Sequence, residues 1–144
     1  MLLRKANAVW EGTLKEGKGR MRLGSGAWEG PYSFESRFAN GTGTNPEELI
    51  GAAHAGCFSM ALAAMLTEAG HPPTTVRTEA EVGLEAIRGG YLIKSIRLAT
   101  TGVVPGISEA DFRKHAENAK KNCPVSKALG SAVEIQLDAK LADR

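Results

Sequence analysis

The sequence predicts an α+β fold, with helices and antiparallel strands grouped separately in the order β-β-β-α-β-β-α-β. Three observations carry this. Residues 76–87 and 133–140 alternate apolar and polar side chains with the period of a strand. Two other stretches, opening at Asn45 and Ser108, begin with helix-start signals and then switch to helical spacing. The strands come in runs instead of alternating one for one with helices, which distinguishes this class from a parallel α/β arrangement.

Taken in order, Ala6, Ala8 and Trp10 suggest a first, weak strand, and Gly12, Gly17, Gly19, Gly24, Gly26 and Gly30 punctuate the region as turns. In Tyr32-Ser33-Phe34-Glu35-Ser36-Arg37-Phe38, large apolar residues at alternate positions predict a half-buried strand. Asn45-Pro46-Glu47-Glu48 then reads as an N-cap, proline at the first helical position and acids facing the helix dipole. That helix should run to about Ala69, where Gly70, His71, Pro72 and Pro73 stop it. Strand 76–87 turns through Arg88-Gly89-Gly90 into a return strand from Tyr91 to about Val103. Ser108-Glu109-Ala110-Asp111 starts the second helix, whose apolar stripe is Phe112, Ala116, Ala119 and Cys123, and Pro124 breaks it. A short helical piece over 125–129 and a closing strand from Val133 complete the chain.

At 144 residues, a single domain over 1–144 is the expectation. Lys plus Arg number 18 against 16 Asp plus Glu, a formal charge of +2, and the signs are mixed along the chain, which disfavours a nucleic-acid partner. The N-terminus, Met1-Leu2-Leu3-Arg4-Lys5, meets charge at once and lacks a signal-peptide core, so a cytoplasmic location is expected. From Leu49 to Thr67 no residue is formally charged. The run is rich in Ala and Gly and contains His54 and Ser59, so it reads as a buried helix of a soluble core with no membrane partner. A helix with no polar side in a small domain needs more cover than one chain can provide, which points to an obligate homodimer.

Two cysteines are too few for a secreted disulfide scaffold. Cys57 lies in the middle of the uncharged helix and Cys123 on the inward stripe of the second helix, so two inward helices can bring them together. The residues alone leave several readings open. Free cysteines often simply fill space. His54 and Cys57, at i and i+3, could join Cys123 or His115 in a metal site. A redox pair needs one thiolate, which an apolar helix disfavours, so a cation must reach Cys57. Arg37 is a candidate for that cation, with Glu47 or Glu48 as its carboxylate partner.

Arg37-Phe38, the run from Gly43-Thr44-Asn45-Pro46-Glu47-Glu48 through Gly51-Ala52-Ala53-His54-Ala55-Gly56-Cys57-Phe58-Ser59 to Leu62, and Asn122-Cys123-Pro124-Val125-Ser126 together resemble the motifs of the OsmC/Ohr family. These are the osmotically inducible and organic hydroperoxide resistance proteins. The likeness extends to Trp10-Glu11-Gly12 and favours the OsmC branch. It implies an intertwined homodimer of antiparallel sheets around two central helices, with sites at the subunit interface. It also implies a thiol-dependent peroxidase that reduces organic hydroperoxides to alcohols. In that scheme Cys57 is peroxidatic and Cys123 resolving, Arg37 holds the thiolate and polarises the peroxide, and Glu47 fixes Arg37. The reductant implied is a dithiol, such as dihydrolipoyl groups on proteins, and no metal or prosthetic cofactor is required. Phe58, Met60 and Met65 beside Cys57 suit an alkyl hydroperoxide. A redox sensor or stress-protective binding protein could use the same cysteines without turnover.

Overall fold

The computed structural model of the chain describes residues 1–142, in two compact units: residues 1–49 and residues 50 onward. In the first unit, strands β1 (Ala6–Glu11), β2 (Lys18–Leu23) and β3 (Glu29–Tyr32) form an antiparallel meander. Gly19 and Gly30, expected in turns, lie inside β2 and β3. Trp10 and Tyr32 flank Gly19 in register, with ring centroids 5.3 Å apart, and a Cβ on Gly19 would come within 2.4 Å of the Tyr32 ring. Only glycine fits beneath that aromatic pair.

The strand expected over Tyr32–Phe38 is corrected: β3 ends at Tyr32, and Phe34–Phe38 form a short helix, α1. Ser33 and Ser36 make a reciprocal capping box, the Ser33 hydroxyl accepting from the Ser36 amide and the Ser36 hydroxyl from the Ser33 amide. Phe34 and Phe38, which fit an alternating strand, are also four apart, and their rings meet on one helix face at 5.0 Å. The same turn places Arg37 on a helix.

Helix α2 (Pro46–Glu68) starts as expected, with the Glu48 amide donating to Asn45 Oδ1 at 2.8 Å. Beyond its first turn it belongs to the second unit, where Gly51, His54, Phe58, Leu62 and Leu66 form its buried stripe. It stops at the expected place, the His71 amide donating back to the Leu66 carbonyl.

The second unit's sheet is ordered β4 (Thr75–Ile87), β5 (Gly90–Val103), β6 (Glu134–Leu141). The β4–β5 hairpin turns through Arg88-Gly89 and carries a bulge at Gly83/Leu84. Its alternation is as expected for Val76, Thr78, Ala80, Val82 and Leu84, which share the half-buried face, but Ala86, expected on the same face, is exposed. The expectation of purely antiparallel sheets needs correction at one pairing: β6 runs parallel to β5. The connection is a helical crossover, α3 (Glu109–Asn122) and α4 (Pro124–Leu129), which returns the chain to the same end of the sheet. Ser108 caps α3, and Phe112, Ala116, Ala119 and Cys123 are all fully buried along its inner side. With Phe58, Leu62 and Leu66 of α2 and Ile96 and Leu98 of β5, they form the core of this unit. Helix α2 is long and apolar enough to cross a membrane by length and composition, but its large residues are the centre of this core.

Candidate active site

The structure brings the four candidate residues together as two pairs, one in each unit. In the first unit, Arg37 Nε donates to both Glu47 carboxylate oxygens at 3.2 Å, and Nη2 donates to Oε1 at 2.7 Å. Glu47 is in the first turn of α2 with its side chain only 9% exposed, while that of Arg37 is 34% exposed. The carboxylate is thus anchored by helix geometry, and its bonds fix the orientation of a guanidinium that stays about a third exposed. Arg37 also lies over the Phe38 ring at 5.3 Å. The other candidate acid, Glu48, accepts instead from the Thr44 hydroxyl.

In the second unit, Cys57 and Cys123 lie close enough for each thiol to shift the ionisation of the other, and both are free cysteines. Cys57, in the middle of α2, is partly exposed, whereas Cys123 is completely buried. Cys123 is at once the C-cap of α3 and the residue before the first turn of α4. Pro124 at the first position of α4 forces that change of direction. The Cys123 thiol forms no conventional side-chain cap, yet the amides of Val125 and Ser126 and the Ser126 hydroxyl face its sulfur closely enough to favour a thiolate.

These surroundings separate the two thiols. Burial pushes the Cys57 thiol above its ordinary range, and the hydrogen bond with Cys123 adds to this, against a smaller opposing effect of the Val125 amide. Burial also acts upward on Cys123, but it is outweighed by hydrogen bonds from Cys57, from the Ser126 amide and hydroxyl, and from the Val125 amide, so this thiol is held below its ordinary range.

His54 does not join a metal site. Its Nε2 is 2.8 Å from Ser126 Oγ, and among the described residues no three His, Cys, Asp or Glu side chains converge to hold a metal. Phe58, read as a neighbour of Cys57, is wholly within the core, and Met60 is 77% exposed. Sequence reasoning missed Ser126 and the amide of Val125. The signal was present in Cys123-Pro124-Val125-Ser126, which places a cysteine ahead of a proline-initiated helix turn.

A family model described as OsmC-like protein matches residues 39–138. The chain is 48% identical over 139 residues to the peroxiredoxin OsmC of Escherichia coli K12, covering 96% of both chains. It is 33% identical over 101 residues to an organic hydroperoxide resistance protein of Xanthomonas axonopodis pv. citri, covering 69% of this chain and 68% of that protein. Among solved structures, the organic hydroperoxide resistance protein OhrB of Bacillus subtilis aligns with a TM-score of 0.75 at 25% identity, over 94% of this chain and 98% of that one. An OsmC-like protein from Mycoplasma pneumoniae shares the fold with a TM-score of 0.75 at 15% identity, over 98% of each chain.

Proposed function

The chain belongs to the OsmC-like family, and from that premise we propose that it is a cytoplasmic thiol-dependent peroxidase that reduces organic hydroperoxides to alcohols. The observation that carries this reading is the placement of a partly exposed Cys57 in α2 and a buried Cys123 at the α3–α4 junction close enough to shift each other's ionisation. The names of the relatives at 48% and 33% identity, a peroxiredoxin and a hydroperoxide resistance protein, support it.

The Cys57 thiolate attacks the distal oxygen of ROOH. The O–O bond breaks, ROH departs with a proton, and Cys57 becomes a sulfenic acid. The Cys123 thiolate then attacks that sulfur, water leaves, and a Cys57–Cys123 disulfide forms. A dithiol, such as the dihydrolipoyl group of a protein, reduces the disulfide and is itself oxidised to a disulfide. No prosthetic group is required. Burial works against the Cys57 thiolate, so the first step needs a cation, and we assign that role to Arg37, with Glu47 fixing its fork.

The catalyst in this proposal is a homodimer. Ala53, Gly56, Met60 and Ala64 form an exposed apolar stripe opposite the buried face of α2. Val9 and Leu14 of the first unit are also more than half exposed. A second copy covering such surface is the commonest solution.

The decisive experiment follows consumption of cumene hydroperoxide and of hydrogen peroxide with dihydrolipoamide as reductant. Continuous turnover, faster with the bulky peroxide, is expected, and it separates an enzyme from a sensor. Cys57→Ser should abolish it. Cys123→Ser should release one equivalent of alcohol and leave a trappable sulfenic acid at Cys57. Normal dithiol-driven turnover by Cys57→Ser would show the assignment to be wrong.

A further inference from the structure

The peroxidase scheme leaves a fully buried histidine unused. His54 has 0% exposure, its Nε2 is 2.8 Å from the Ser126 hydroxyl, and its Nδ1 is buried with no hydrogen-bond partner. Ser126, itself 4% exposed, lies in the first turn of α4, three residues after Cys123 at the N-cap of that helix, and its amide and hydroxyl favour the Cys123 thiolate. A leucine or phenylalanine at position 54 would pack in this core without an orphaned nitrogen.

We propose that the buried His54–Ser126 pair makes Cys123 the departing sulfur when the disulfide is reduced, and so directs the incoming dithiol to Cys57. Ser126 acts on the sulfur directly, and His54 is a positioning residue acting through Ser126. This inference rests on the peroxidase reading for its place in a catalytic cycle.

The proton assignment follows from the partners. The Ser126 hydroxyl has one proton. If it is given to Cys123 Sγ, the oxygen must accept from His54, which fixes the neutral tautomer with hydrogen on Nε2. Nδ1 then carries only a lone pair, so the atom left unpartnered is an acceptor and no buried N–H is orphaned. In the disulfide, Cys123 is a neutral and weak acceptor. In the product of reduction it is a thiolate, so the hydroxyl is worth more after the S–S bond breaks than before.

Chemically, one thiolate of the dithiol attacks Cys57 Sγ, the partly exposed sulfur. The S–S bond breaks and its electron pair stays on Cys123, facing the Val125 and Ser126 amides and the Ser126 hydroxyl. The second thiol of the reductant then closes on the mixed disulfide and releases Cys57, which takes up the proton that thiol gives up. Thiol–disulfide exchange is faster when the leaving sulfur is the better thiolate, and access selects which sulfur is attacked.

The test uses the full chain, with the disulfide preformed by diamide so that it does not depend on peroxide. Reduction by dihydrolipoamide and the midpoint potential are measured for Ser126→Ala, Ser126→Thr, His54→Leu and His54→Gln, beside the single-turnover release of alcohol from cumene hydroperoxide. Ser126→Ala and His54→Leu should lower the rate of reduction relative to that of oxidation by about tenfold, and lower the potential by roughly 30 mV, the equivalent of tenfold for two electrons. Ser126→Thr and His54→Gln, which restore a hydroxyl and an N–H donor, should recover most of both. A brief pulse of 2-mercaptoethanol, quenched with acid before a second thiol can react, should leave its adduct on Cys57, as mapped by peptide mass. An unchanged rate ratio and potential, an adduct on Cys123, or equal losses in both half-reactions without rescue would overturn the proposal. Should His54→Leu not fold, the Ser126 series and His54→Gln decide alone. Failure of the wild-type protein to react with peroxide would instead overturn the peroxidase reading, while the reduction measurements would still stand.

Discussion

Removing either partner of the Arg37–Glu47 pair should not cost the same, and the difference can be worked out from what each leaves behind. Arg37→Ala strands a carboxylate whose side chain is 9% exposed. An uncompensated buried charge costs about 3–5 kcal/mol, and the α2 N-terminus, where Glu47 sits, returns about 0.3–1 kcal/mol of that. The expected loss is about 2–5 kcal/mol. Glu47→Ala strands a guanidinium that is 34% exposed and still lies over the Phe38 ring. Water can solvate it, so the loss should be about 0.5–2 kcal/mol, the sum of a weak ion pair and the lost interaction of the carboxylate with the α2 N-terminus. In the double variant neither charge is stranded, and its loss should fall short of the sum of the single losses by about 0.5–3 kcal/mol. Urea unfolding at one fixed protein concentration measures all three, with unchanged m-values showing that the denatured state is not at issue. The reasoning is refuted if Glu47→Ala proves as costly as Arg37→Ala, or if the two losses simply add.

Gly102→Ala should destabilise the second unit by about 1–3 kcal/mol in the same assay, because the new Cβ would lie 2.5 Å from the ring of the fully buried Phe112. Burial holds the His54 imidazole below its ordinary 6.5, so the unfolded chain binds the proton more readily than the folded one. Stability from this group is therefore fully present above 6.5 and is lost as pH falls below it toward the folded value. His54→Gln should flatten that limb of a plot of urea midpoint against pH, and an undiminished acid slope would show that other groups set it. Met60→Asp, at a site 77% exposed on the apolar stripe of α2, should convert the proposed dimer to monomers by sedimentation at low micromolar concentration.

The legible parts of the fold are those with local causes. Asn45-Pro46-Glu47 starts a helix through its own side chain and backbone, and the spacing of Phe112, Ala116, Ala119 and Cys123 shows which side of α3 faces inward. From those two inward helices the meeting of Cys57 and Cys123 follows. The stretch around Arg37 misled because Phe34 and Phe38 fit both periods, and the Ser33/Ser36 capping box decided in favour of a helix. The parallel placement of β6 follows from the length of the α3–α4 crossover, which alternation within a strand does not encode. The His54–Ser126 bond joins residues 72 apart in sequence, on two helices, and no local pattern announces such a pairing.

The β4–β5 hairpin outruns the sheet it belongs to. β6 accompanies β5 only from Ser95 to Gly102, so Gly90 to Lys94 and the opposing stretch of β4 form a ribbon two strands wide. The bulge falls at this border, leaving Lys94 as the extra residue on β5. Ile87, Tyr91 and Leu92 near the tip are each more than two-fifths exposed. Such a ribbon has fewer neighbours to hold it shut than the three-stranded part, so it is expected to open without unfolding the core. Amide deuteration should therefore change abruptly at Lys94, slow on the side of Ile96 and Leu98 and fast toward Arg88-Gly89. A boundary there would make the bulge a mechanical joint, at which the outer half of the hairpin twists away from the sheet while the inner half keeps its strand register.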